Sequence, residues 1–253
     1  MRALPPRPGS TAMTSASQAS TANLLLRALA PEDYALLEPS LERTHLPVRK
    51  HLFERETPIE RVYFPEGGIA SIVVDDEEGE TVELGLFGRE GMSGAPVLLG
   101  AGKSPHRCFM QIEAASSLHI ASDALLAASD QSPGLRRVLL QFVHVLAVQT
   151  AATAMANAHY QLAERLARWL LVCHDRVDSD RLELTHEFMA QMLAVRRSGV
   201  TVTLHTLEGT GAIRSTRGLV TILDRARLRE IAGDSYGLAE REYSRLIAPL
   251  GKG

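Results

Sequence analysis

The sequence predicts an α+β chain with an N-terminal antiparallel β-barrel, one long helix, and a small C-terminal helical domain containing a hairpin. Three observations carry that reading. From about residue 45 to 121, short β-rich runs (RVYFP, GIASIVV, ETVELGLF, RCFMQIEA, SSLHIA) alternate with turn clusters (PEGG, DDEEGE, GREG, GAGKS), as in an antiparallel sandwich or barrel. After Pro133 the chain runs past residue 160 with no further proline and only Gly134, which fits a helix of many turns. From residue 163 onward, amphipathic helical patterns bracket a hairpin pattern at residues 212–223.

The elements follow in order. Residues 23–42 carry a helical pattern, with Pro31 at a first-turn position ahead of Tyr34, Leu36, Leu37 and Leu41. Past the strands, Ser122 reads as an N-cap before Leu125 and Leu126. In the long helix, Leu135, Leu139, Phe142, Leu146, Gln149, Thr153, Ala156 and Tyr160 repeat at alternating steps of 4 and 3, a coiled-coil-like seam. Two surfaces can cover such a seam: a second copy of the helix, or the chain's own barrel. A further amphipathic helix, AERLARWLLVCHDRV, starts at Ala163, and RARLREIAG forms a short last one. The chain thus divides into a disordered tail at 1–22, a barrel domain at 23–132, the long helix at 133–161, a C-terminal domain at 162–235 and a C-terminal tail at 236–253.

Hydrophobic content of 45% and charge of 23% are ordinary for a soluble globular protein. Apolar stretches are interrupted by Arg, His, Gln or Asp before the ~20 residues a membrane span needs, and the Pro/Ser/Thr-rich start lacks the apolar core of a signal peptide. A cytoplasmic protein with no membrane partner is expected. Two cysteines, Cys108 and Cys173, are too few for a disulfide scaffold and read as buried or half-buried thiols. Up to residue 162 there are 13 Lys/Arg against 18 Asp/Glu; from 163 onward there are 14 against 12. Positive charge therefore gathers in the C-terminal part, as a polyanion-binding module would require.

Within that part, Thr185 reads as the N-cap of a short helix running to about Leu193, and a second helix begins near Arg196 and runs to about Gly209. At 100° per residue from Arg197, Val200, Thr203, Leu204 and Leu207 fall within an arc of about 240–340°, whereas Arg197, Ser198, Thr201, Val202 and His205 fall within about 0–140°. One face is apolar and one is polar, with two arginines at the N-terminal end, where the helix dipole disfavours cations. An external polyanion would compensate them, and a helix laid in a DNA major groove presents its N-terminal side chains in this way.

The run LTHEFMAQMLAVRRSGVTVTLHTLEGTGAI, followed by RSTRGLVTILDRARL, resembles the winged helix-turn-helix of the cyclic-AMP receptor/fumarate-nitrate regulator (CRP/FNR) superfamily. AERLARWLL resembles the helix that family places ahead of the motif. The glycine-punctuated barrel and long helix resemble its jelly-roll, cyclic-nucleotide-binding-like sensor domain. The resemblance covers roughly residues 45 to 232. It implies a non-enzymatic transcription regulator without a cofactor, homodimeric through the long dimerisation helix at Leu135, Leu139, Phe142, Leu146, Gln149 and Thr153. Its partner would be double-stranded DNA with a pseudo-palindromic operator, one recognition helix per half-site, with RNA polymerase as a further candidate. Thr185, Arg196, Arg197, Ser198, Thr201, His205 and Arg217 are the candidate DNA-binding residues. Arg197 matches the family's guanine-reading arginine. Ser198, Gly199 and Val202 stand where the family usually has glutamate, threonine and a second arginine, so a different operator is expected. Thr216, Arg217 and Gly218 would form the tip of the wing, with Arg217 on a phosphate.

The segment GREGMSGAPVLLGAGKSPHRCFMQIEAA resembles the phosphate cassette of cyclic-nucleotide-binding barrels, and implies an effector site at Gly94, Ala95, Arg107, Cys108 and Thr150. Gly94 is kept and Thr150 falls on a base-contacting threonine. Ala95 replaces the ribose-binding glutamate, and Cys108 with Phe109 replaces the phosphate-binding Arg-Ser/Thr. Arg107 is adjacent, but one step along a strand reverses the face. Loss of the anion's bidentate partner points away from cyclic nucleotides and leaves the signal unidentified. The alternatives are a non-standard cyclic-nucleotide site, or a barrel module that does not bind DNA. His51, His106 and His119 do not form the His-x-His…Glu pattern of metal-dependent cupins, no metal site is expected, and no nucleophile–base or P-loop motif occurs.

Overall fold

The N-terminal helical region forms two short helices, α1 (Leu24–Arg27), capped by Asn23 through the Leu26 N–H at 3.0 Å, and α2 (Pro31–Leu37), with Pro31 in its first turn. The computed structural model describes residues 17–75, 77, 78, 81–250 and 252. Residues 17–22, expected to end a disordered tail, are folded instead: Thr21 is buried, and Gln18 Nε2 donates to the carbonyls of Leu26 and Leu29. The remainder of that expected tail, 1–16, lies outside the described residues.

The sheet domain contains β1 (Glu42–Leu46), β2 (His51–Phe53), β3 (Arg61–Pro65), β4 (Ile69–Asp75), β5 (Thr81–Phe87), the single turn α3 (Ala95–Leu98), β6 (Arg107–Ile112) and β7 (Ala114–Ala121). All pairings are antiparallel, in a three-stranded sheet β1-β7-β3 and a four-stranded sheet β2-β6-β4-β5. The expected barrel is therefore an open two-sheet sandwich. The free edge region of β5 meets helix instead of another strand, and the Leu86 N–H donates to Gln149 Oε1 on the long helix at 2.8 Å. Strand alternation then divides the residues between two cores. Phe87, Cys108 and Met110 join the core between the sheets, while Val73, Leu86 and Phe109 face the C-terminal domain.

Next come α4 (Ser122–Gln131) and α5 (Pro133–His159). Ser122 is the first helical residue instead of the cap, and its Oγ donates to the Ile59 carbonyl at 2.5 Å. Helix α5 shows why its seam was ambiguous. Leu135, Leu139, Phe142 and Gln149 are buried within the protomer, Leu146 lines a cavity, and Thr153 accepts from Arg168 Nη2 at 3.1 Å. The predicted intersubunit seam is intramolecular, because the chain's own sheets and helices cover it first. On the opposite side, Val148, Ala151, Met155 and Ala158 repeat at steps of 3, 4 and 3; Met155 is 58% exposed. An 18-residue window of α5 reaches a mean hydropathy of 1.6, long and apolar enough by composition to cross a membrane. The expected interruptions are present there as His144, Gln149 and Thr150, but they do not bring the mean hydropathy of the window down.

The C-terminal domain contains α6 (Leu162–His174), β8 (Arg181–Leu182), α7 (His186–Met192), α8 (Arg197–Gly209), β9 (Ile213–Thr216), β10 (Leu219–Ile222), α9 (Arg225–Ala232) and α10 (Leu238–Leu246). Its small sheet has the order β8-β10-β9. Gln161 and Glu164 close a capping box at the start of α6. The expected tail at 236–253 is corrected: α10 packs on α5, Tyr243 is fully buried in the first core, and Lys252 Nζ lies 2.9 Å from His174 Nε2.

Candidate nucleic-acid interface

Helix α8 buries Val200, Thr203, Leu204 and Leu207, the predicted arc, and leaves Arg197, Ser198, Val202 and His205 exposed. It is held against α7 by a tight helix–helix turn. The Val195 N–H donates to the Ala190 carbonyl at 3.0 Å and the Ala194 N–H to the Gln191 carbonyl at 3.2 Å, a Schellman turn with Ala194 at φ +51°. Glycine is usual at that position, and no sequence signal marked the turn.

The candidate residues then separate by what their polar atoms already do. Thr185 Oγ1 accepts from the Phe188 N–H at 3.1 Å and caps α7. Thr201, expected to face DNA, is half-buried; its hydroxyl donates to the Arg197 carbonyl and lies 3.0 Å from His186 Nδ1. Its polar group is therefore committed to the fold. His186 Nε2 also lies 3.3 Å from Ser215 Oγ, so this imidazole ties α7, α8 and the wing together. The sequence reading missed it, since a histidine in a first helical turn carries no distinguishing pattern. Arg196 occupies the N-cap position without a side-chain cap bond. Arg197 Nη1 lies 3.6 Å from Glu187 Oε2, both side chains mostly exposed. The charge at this helix start is thus partly balanced from within, by the preceding helix. Such an exposed pair contributes little and leaves the guanidinium available. His205 Nδ1 lies 3.2 Å from Glu208 Oε2.

Thr185, Arg197, His205 and Arg217 line one open cleft of about 730 Å³ between α8 and the hairpin. Arg217 sits exposed at the β9–β10 tip, where Gly218 adopts φ +75°. Arg196 faces a neighbouring cleft that includes Thr81 and Val82 of the sheet domain. Gly199 has room for a methyl group: an added Cβ would meet only Leu162 Cδ2, at 3.4 Å.

The candidate effector residues do not converge. Ala95 and Thr150 line an apolar cavity beside α5. Gly94 precedes α3, where an added Cβ would fall 2.7 Å from Val62 Cγ1. Cys108 is buried in the core between the sheets, and burial pushes its thiol pKa well up, as it does for Cys173. Arg107 turns to the opposite face and holds Asp75 in a bidentate pair at 2.6 and 2.8 Å.

The family model of the Crp-like helix-turn-helix domain matches residues 164–231, which span α6 through α9. Over this segment the chain is similar to that family's domain. No curated protein sequence shows a significant match to the chain. Among solved structures, FixK2 from Bradyrhizobium japonicum is 16% identical, covering 76% of this chain and 98% of its own at TM-score 0.65. A CRP-family transcriptional regulator from Thermus thermophilus is 20% identical, with coverages of 77% and 99% and TM-score 0.64. The c-di-GMP responsive global regulator CLP from Xanthomonas campestris is 15% identical, with coverages of 76% and 99% and TM-score 0.61. The chain thus has the CRP/FNR-type fold, and the match to the Crp-like helix-turn-helix domain covers both α7 and α8.

Proposed function

We propose that the chain is a sequence-specific DNA-binding transcription regulator that acts as a homodimer in the cytoplasm and is controlled by a signal at its sheet domain. The observation that carries this is the exposed polar face of α8, with Arg197 at its N-terminal end and Arg217 across the same cleft on the wing. A helix in the major groove with a basic hairpin on the flanking backbone uses these two positions for bases and phosphates respectively. Dimerisation runs through the outer face of α5, a second coiled-coil-like seam at Val148, Ala151, Met155 and Ala158, of which Val148 is half-buried and the other three are exposed. A neighbour of this fold named for its response to c-di-GMP supports control by a small-molecule signal. RNA polymerase is a further candidate partner.

Selection of bound fragments from random double-stranded DNA by the purified chain tests the reading. Enrichment of a two-fold symmetric site with half-sites about one helical turn apart, or a multiple of it, is expected. A protein that retains no DNA, or enriches no sequence, would overturn it.

A further inference from the structure

We propose that DNA binding is coupled to proton uptake at His186, so that operator affinity rises as the solution becomes more acidic. This rests on the regulator reading and deepens it by giving the DNA site a control of its own. His186 is half-buried and lines the open cleft between α8 and the hairpin, the same cleft that holds Arg197 and Arg217.

The hydrogen bonds around the ring fix what each nitrogen does. The Thr201 hydroxyl gives its proton to the Arg197 carbonyl at 3.1 Å, so towards Nδ1 of His186, 3.0 Å away, it can only accept. Nδ1 therefore carries the proton of the neutral ring. Nε2, 3.3 Å from Ser215 Oγ, then accepts from that hydroxyl. A second proton on Nε2 needs only a rotation of the Ser215 hydroxyl, which turns from donor to acceptor. Both forms of the ring keep α7, α8 and the wing tied together, so the fold does not oppose the charge.

Without DNA, the charged groups around the ring nearly cancel. Glu187 on α7 is negative, as is Glu208 on α8, whose Oε1 accepts from the Ser215 N–H at 2.6 Å. Arg197 on α8 and Arg217 on the wing are positive, and His205 Nδ1 on α8 lies 3.2 Å from Glu208 Oε2. A DNA backbone entering the cleft tips this balance, because its phosphates bring negative charge beside the ring and an adjacent anion favours the imidazolium. By reciprocity, a proton on His186 strengthens DNA binding by the same factor. The gain is complete where the free protein already carries the proton, and it fades as pH rises until the DNA-bound ring has lost it.

The test uses the full chain and an operator selected from random DNA. Calorimetric titrations in two buffers of different ionisation enthalpy count the protons taken up on binding. Uptake of up to about one proton per subunit is expected between about pH 8 and about pH 6, with an affinity gain of about threefold or more. His186→Gln, which keeps a neutral donor and acceptor, should bind like the parent at the upper pH and lose most of the gain and of the uptake. His186→Lys, charged throughout this range, should bind at the upper pH as tightly as the parent does at the lower one. His205→Gln, in the same cleft, should keep the uptake. Circular dichroism at both pH values checks that the variants are folded. Binding by the parent without proton uptake, or uptake that survives His186→Gln at the parent's level, would overturn the proposal and leave His186 as a structural tie. A chain that retains no DNA would defeat the regulator reading; an operator bound without proton uptake would defeat only this proposal.

Discussion

Arg197 is a cation at a helix start, a placement that costs a helix roughly 0.3–1 kcal/mol, and Glu187 at 3.6 Å offsets only part of it. If Arg197 reads a guanine, Arg197→Ala should lose about 1–3 kcal/mol of discrimination at one base pair per half-site. Arg217→Ala, at the wing tip, should weaken all sequences alike and make the salt dependence shallower. Competition titrations against operators altered one base pair at a time, at two salt concentrations, separate the two behaviours. A uniform loss for Arg197→Ala would reduce α8 to a generic anion-binding surface. Ala194 provides a second test at this scale, with no DNA involved. Its left-handed backbone costs an alanine about 1–2 kcal/mol, whereas the added freedom of glycine in the unfolded chain costs about 0.4–1 kcal/mol. Ala194→Gly should therefore raise stability by up to about 1 kcal/mol in urea melts, and a loss would mean that the turn is not strained.

At the scale of elements, α5 carries two seams that the sequence pattern does not rank. Phe142 stacks edge-on to Phe87, with ring centroids 6.4 Å apart, and belongs to the protomer core. Phe142→Ala should cost about 3–5 kcal/mol of folding stability whatever the oligomeric state. Val148→Glu combined with Met155→Glu should do the reverse, leaving the protomer folded but monomeric, as read by light scattering with circular dichroism. A dimer that survives both charges would place the subunit contact elsewhere.

The whole molecule is joined where the sheet domain meets α6. The only tryptophan, Trp169, donates Nε1–H to Glu83 Oε1 at 2.8 Å, and Ser71 Oγ donates to the other carboxylate oxygen at 2.7 Å. Nearby, Arg176 Nε donates to Glu90 Oε1 at 2.7 Å, both side chains buried. Two carboxylates on this sheet respond oppositely to acid. Arg107 beside Asp75 brings its carboxyl down to about 2, from 3.8. The stability that this shift contributes is complete above the ordinary carboxylate range and is lost as pH falls towards 2. Burial raises the pKa of Glu83 despite its two hydrogen bonds. Its contribution is complete below the ordinary glutamate value and is lost as pH rises through the raised one. Urea melts followed by Trp169 fluorescence across pH should therefore show a weakened acid-side loss in Asp75→Asn. In Glu83→Gln, which keeps the bond to Trp169, stability should rise relative to the parent towards neutral pH and converge with it in acid. Parallel curves for parent and variant would exclude either carboxylate as the source.

Much of the Crp-like domain was determined by sequence alone. The Thr185 cap, the apolar arc Val200–Thr203–Leu204–Leu207 and the Gly218 hairpin tip are local features, written within one or two turns of chain. The opposite faces of Arg107 and Cys108 follow from strand alternation in the same way. Tertiary structure decided the rest. A heptad pattern states that a face must be covered but not by what, so only the sheets and α6 could assign the Leu135–Phe142–Gln149 seam to the protomer itself. The sheet edge at β5 stays open because α5 reaches it, and α10 acquires a use for Tyr243 only once that helix is in place to receive it. The emptiness beside Met92, Leu146 and His106 was equally unreadable, since a cavity is made by residues from distant parts of the chain failing to fill a space together.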